Sequence, residues 1–282
     1  MNISTCPIIK LTQIVLLIFG FCLFQPLSAQ KHNQKSAHWT FGYGNAYIFD
    51  DYLSPLPHKG GSILFTSGMT NPLKWGLPDS LENTFENAKW FSQIDFTLNP
   101  AYAINAPGSG IFHGNMDLRK TILRQLITQP SMNVAFGGYI ALGGGGRFCA
   151  INGNNPGSID IYSNLGMSVL SNYNFNLWRK SFRLSYQGSL ALAGLAFSPE
   201  YAESYYEIFY LGNRQNILKF TNPINNQQWR QQLNLDIPFT GRLSSIRLSY
   251  QNDGHVSLLN KIHTRILSNH FSVGYIRYFN IL

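Results

Sequence analysis

Three stretches combine residue types that could do chemistry. The first is FDDYLSPLPHKGG, residues 49–61, where Asp50 and Asp51 precede His58 and Lys59. Paired carboxylates near a His suit acid–base work or cation binding. Neighbouring residues on an extended chain point to opposite faces, however. No third carboxylate follows at loop spacing, and Asp readily bonds nearby backbone amides. The pair is therefore expected to pin a turn, within a loop motif of Asp50, Asp51, Tyr52, Leu53, Ser54, Pro55 and Leu56.

The second stretch is HVSLLN, 255–260. His255, Ser257 and Asn260 are the residue types of acyl hydrolysis: a hydroxyl nucleophile, its general base, and a carboxamide to orient the base. A Ser two residues from a His on one strand face stands about 6–7 Å from it at the backbone, a poor nucleophile–base pair. Lipid acyl hydrolysis through Ser257 and His255 is kept as the alternative function. The third stretch, LGGGGRFCAINGNNPG at 142–157, is glycine-rich but lacks the Lys-Ser/Thr and βαβ context of a phosphate loop. Its small residues are expected to make room in a crowded wall or loop. The seven histidines show no metal spacing. Neither a metal nor a cofactor is expected.

The elements that carry these residues show alternation by two, the period of a strand. In 159–177 the odd positions run Ile159, Ile161, Ser163, Leu165, Met167, Val169, with Asp160, Asn164 and Ser168 between them. The segments 90–104, 182–196, 229–239 and 246–251 repeat the pattern. Asp95, Asp160, Arg183, Arg230, Asp236 and Arg247 all fall on polar faces. Several strands run 15–19 residues, whereas ordinary globular strands average about 5–6. Aromatics gather near strand ends, as interfacial girdles require. Charged residues make up 12% of the chain, about half the usual soluble share.

Backbone polar groups in lipid must be paired, so such strands must close into a barrel. The fold is read as all-β, a transmembrane antiparallel barrel of about 12 strands, with 10–14 fitting the same pattern. The strands are placed at 38–49, 60–68, 89–104, 112–126, 131–147, 158–177, 180–196, 203–211, 228–239, 244–251, 257–267 and 269–281. The segment 112–126 carries charge on both faces, so a loop or helix stays open there. Arg277 falls in line with Tyr275 and Phe279, which a bulge or a headgroup-level Arg would resolve. A barrel of this size lies between a filled core and an aqueous porin, so a small or plugged lumen is expected.

Residues 1–29 read as a signal peptide, with Lys10, an apolar core at 14–24 and small residues before a cut after Ala29. Residues 30–282 then form one barrel domain, bound for the outer membrane of a Gram-negative bacterium. Two of the three cysteines lie in the leader, leaving Cys149 and no internal disulfide. The net charge of +8 suits anionic headgroups. Outer-membrane lipid is the expected partner, with room for a small solute. No nucleic-acid partner is expected, and the protein is read as a monomer.

GYGNAYIFDDYLSPLPHKG (42–60) and LLNKIHTRILSNHFSVGY (258–275) resemble an outer-membrane β-barrel family of Bacteroidota, known as a domain of unknown function with a YLSPL-type N-terminal motif. The resemblance implies the barrel and assigns no activity. The function is therefore read as a narrow channel or a structural, surface-displaying barrel.

Overall fold

The computed structural model of the protein describes residues 35–73, 89–129, 131–153, 155–177, 180–201, 203–213, 215–239 and 243–279. The expected leader, 1–29, lies outside them. The strands are β1 (Lys35–Asp50), β2 (Ser54–Leu73), β3 (Trp90–Ile104), β4 (Gly110–Thr128), β5 (Met132–Phe148) and β6 (Gly157–Leu177). They continue as β7 (Lys180–Phe197), β8 (Leu218–Thr221), β9 (Asn226–Pro238), β10 (Ser244–Leu259) and β11 (Ile262–Phe279). One short helix, α1 (Tyr205–Phe209), lies between β7 and β8.

All the strand pairs are antiparallel, and β1 closes the ring on β11. Because β7 pairs with both β6 and β9, the ring has 10 strands, and β8 pairs only with the end of β7 beyond β9. Following the paired residues once round the ring from Gly61 returns to β2 at Leu73, a stagger of 12 residues. With ten strands that stagger tilts them by about 40°.

The ring lies within the expected range, but individual elements differ. The expected strand at 203–211 is instead turn and helix. Ser204 accepts from the Glu207 backbone N–H at 3.2 Å, and Glu207 accepts from the Ser204 N–H at 2.7 Å. That capping box starts α1 where the aromatic run reads as a strand. The three expected strands 244–251, 257–267 and 269–281 give way to two, β10 and β11, joined by a tight turn at Asn260–Lys261. Both turn residues have positive φ, 49° and 66°. The turn-like Asn252-Asp253-Gly254 stays in the ladder; a Cβ at Gly254 would lie 2.1 Å from the Trp229 ring. The doubtful segment 112–126 is a full strand, β4. Its mixed charge sorts into Asp117 and Arg119 inside and the exposed Lys120 and Arg124 outside.

The barrel is apolar outside and polar inside. Phe41, Tyr43, Phe271 and Val273 are exposed on the wall, while Thr40, Ser62, Gln251 and His270 are buried within. Water would oppose that arrangement and a bilayer requires it. Arg277 points outward, 5.5 Å from the Phe279 ring centroid, and the β1–β11 register is unbroken there. The alternation therefore holds without a bulge. Arg265, also exposed, lies 12 residues away on β11. That spacing is about 40 Å along the strand and about 30 Å along the tilted barrel axis. It matches the thickness of a hydrocarbon core.

Candidate functional site

The inner faces of the ring converge on the lumen, which holds the paired charges. At one end the β1–β2 turn folds inward. Asp50 accepts from the Tyr52 N–H at 3.1 Å, and Asp51 accepts from the His263 N–H of the neighbouring hairpin at 2.8 Å. The two acids thus point in different directions and hold the turn. Pro55, Leu56 and Pro57 bulge opposite Phe49, because the ladder steps from Asp50↔Ser54 to Ile48↔His58; proline cannot donate to it.

That turn buries Leu53 in an apolar cluster with Ala46, Ile48, Ala103, Ile111 and Cys149, capping the lumen. The Tyr52 hydroxyl donates to the Glu203 carbonyl at 2.7 Å, and the Asn152 amide donates to the Leu53 carbonyl at 3.2 Å. Two other loops therefore clamp the cap. Burial of Tyr52 and the acids near it push its hydroxyl above the usual phenol range.

Below the cap lie three charge clusters. Arg147 donates to Asp50 at 2.7 Å, to Asp160 at 2.8 Å and to Ser158 at 3.0 Å. Arg230 donates to Asp253 at 2.6 Å, to Asp117 at 3.1 Å and to Thr97 at 3.2 Å. Arg247 grips Asp236 with two bonds, 2.7 and 2.9 Å. Tyr278 also donates to Asp236, and Arg183 donates to Asn174 at 3.1 Å. Asp95 faces His38 at 3.9 Å. The Gln187 amide of β7 donates to Gln93 of β3 at 2.9 Å, crossing the lumen. Charge-assisted, forked bonds of this kind are the strong ones.

The glycine run serves the same filling. A Cβ at Gly143 would lie 2.0 Å from the Tyr162 ring, so glycine admits that ring beside the wall. The Asn115 amide donates to the Tyr162 hydroxyl at 3.2 Å. Cavities of about 40, 80 and 90 Å³ lie among these side chains. Each is on the order of a few waters.

The six charged residues expected on polar faces all lie in this lumen and belong to its network. Sequence reasoning missed Asp50, Asp117, Arg119, Arg147 and Asp253. Asp50 reads as a turn residue, Arg147 hides behind the glycine run, and Asp117 and Arg119 sit in the mixed-charge segment. Alternation applied strictly across 110–128 is the signal that finds the last two.

The hydrolase residues are not assembled as a triad. His255 and Ser257 line the cavity of about 40 Å³, beside Tyr52, Arg147 and Asp160 inside the barrel. No hydrogen bond joins the two among the described residues. The Asn260 amide is spent at the hairpin tip on the carbonyls of Ser198, Pro199 and Asn216, at 2.9–3.1 Å. It orients the long loop and not the His. The described residues hold no group of three or more His, Cys, Asp or Glu arranged to bind a metal ion.

The family described as Protein of unknown function (DUF3316) matches residues 14–282. No curated protein matches the chain. Among solved structures, the outer membrane protease OmpT from Escherichia coli is similar at 8% identity, over 90% of this chain and 99% of that one, with a TM-score of 0.43. The translocator domain of the autotransporter NalP from Neisseria meningitidis is 7% identical, over 96% and 95%, with a TM-score of 0.43. The beta domain of the Bordetella autotransporter BrkA is 11% identical, over 88% and 100%, also at 0.43.

Proposed function

The chain belongs to this family of unknown function, and we propose that it works as a closed barrel of the outer membrane, a structural and surface-displaying protein and not an open channel. The observation that carries this is the Arg230 bridge, which spans the lumen from β9 to Asp117 on β4 and Thr97 on β3. A solute would have to break it, with the clusters above and below. The Leu53 cap supports the same reading at the mouth, and gives the YLSPL-type motif its job.

At the end carrying Lys35 and Phe279 the strands are joined by the short connections 129–131 and 239–243 and by the longer 74–89, while the opposite end carries the longest, 198–225. Outer-membrane barrels keep short turns on the periplasmic side. In this reading the 198–225 loop and the Leu53 cap face outward from a Gram-negative, Bacteroidota-type cell. Residues 1–29 act as the export signal. Lipid is the partner, and the barrel acts as a monomer.

The test is planar-bilayer recording of the refolded protein, with fractionation of native envelopes. Folded protein should insert and give no conductance steps. Discrete ionic steps would replace this reading with the narrow channel. The hydrolase reading loses support because Ser257 and His255 face the lumen, away from lipid. Ester hydrolysis by the folded barrel that disappears in Ser257→Ala would reinstate it.

A further inference from the structure

Besides the lone Lys120 on β4, the lipid-facing wall carries a row of four carboxamides. Gln231, Asn252, Asn269 and Asn45 stand directly opposite one another on β9, β10, β11 and β1. Their positions share the outward phase of Leu233, Leu248, Phe271 and Tyr43. The Asn269 amide donates to Asn45 at 3.2 Å, and the Asn252 amide donates to Asn269 at 2.9 Å. The Tyr250 hydroxyl and the Trp229 indole N–H donate into the row at 2.8 and 3.0 Å. The Asn45 amide N–H₂ and the Gln231 carboxamide have no partner among the described residues. Each such group facing hydrocarbon alone is costly.

Two cations stand just beyond the row. Lys59 pairs in register with Tyr47, and Arg265 pairs with Phe49. Both are exposed, and neither meets a carboxylate among the described residues. Arg265 lies 6.0 Å from the Tyr47 ring centroid. Their register partners are two and four residues from Asn45, about 5–10 Å along the tilted axis. That is the depth of the boundary between headgroups and acyl chains.

We infer that this wall is a binding site for a phosphorylated lipid whose acyl chains carry amide linkages and hydroxyls. Lys59 and Arg265 hold the phosphate. The amide row meets the polar groups at the head of the chains. An ordinary ester-linked lipid offers only acceptors there, while the free Asn45 N–H₂ donates and the Gln231 carboxamide needs both roles. A lipid with amides and hydroxyls supplies both. The inference rests on the outer-membrane reading above.

The test is native mass spectrometry of the refolded barrel, released from bilayers containing equal amounts of hexa-acyl lipid A and phosphatidylglycerol. Lipid A should be retained at least tenfold over phosphatidylglycerol. The preference should fall to near parity in Asn252→Leu/Asn269→Leu and, separately, in Lys59→Ser/Arg265→Ser, whose changes lie at headgroup level and leave the ladder intact. Equal retention of the two lipids, or an unchanged preference in the variants, would overturn the site. A dimer lost in the Asn variants would overturn it in favour of a second copy. Failure to insert into bilayers removes the outer-membrane reading as well; insertion without lipid preference removes this inference alone.

Discussion

Arg230 on β9 and Thr97 on β3 stand five strands apart in either direction round the ring, yet meet across the lumen at 3.2 Å. The same guanidinium holds Asp253 on the adjoining strand and Asp117 across the lumen. One side chain therefore ties opposite walls together.

Arg230→Met should leave Asp253 without a counter-charge and Asp117 with only Arg119, at 3.7 Å. Breaking a buried ion cluster by removing one member costs about 3–5 kcal/mol. Urea titration in lipid vesicles should show a loss of this size. Adding Asp253→Asn should recover part of it, because the stranded charge is then gone while Asp117 keeps Arg119. An unchanged midpoint in the single variant would mean that water already shares the charge.

Cys149 reports on the cap. It is 2% exposed and shares its cluster with Leu53. A maleimide should fail to label the folded protein and should label it fully in denaturant. Leu53→Ala should cost about 2–3 kcal/mol and speed labelling of Cys149 severalfold under native conditions. Rapid labelling of the unaltered protein would show that the mouth is open.

Lys120 is exposed on the apolar wall of β4, opposite Ile94 and Ile140. A Lys near the bilayer midplane costs about 2–4 kcal/mol. Lys120→Leu should raise stability in vesicles by about 2 kcal/mol. No gain would place that part of the wall against something other than lipid.

The capping box of α1 should depend on pH. Hydrogen bonds from the Ser204 backbone N–H and hydroxyl hold the Glu207 carboxyl below its usual range. The folded pKa is thus lower than the unfolded one. The stabilisation is present above the unfolded value and disappears as pH falls through the folded one. Amide-exchange protection of 205–209, corrected for intrinsic rates, should fall on acidification below that range. Ser204→Ala should show the reduced protection already at neutral pH.

The wall was legible because its chemistry is periodic. A strand in a bilayer must keep one face apolar over its whole length, so Ile159 through Val169 declare both the strand and its outer face. The same rule put Asp95, Asp160, Arg183, Arg230, Asp236 and Arg247 inside. It failed where local signals compete. The aromatic run at 203–211 hides a helix that depends on one Ser–Glu cap. Asn252-Asp253-Gly254 carries turn residues, but Asp253 is needed by Arg230 and Gly254 by the Trp229 ring.

Sequence by itself thus determined that these strands close into a barrel with a polar interior, since unpaired backbone and charge have no place in lipid. Only the tertiary structure decided that the interior is filled. Pairing of Arg230 with Asp117, of Arg147 with Asp50, and of Leu53 with Cys149 depends on the number and stagger of the strands. Those quantities decide which distant side chains can reach each other. FDDYLSPLPHKGG reads alone as a paired-acid turn; the closed ring turns its Asp50 toward Arg147 and its Leu53 into the cap of the lumen.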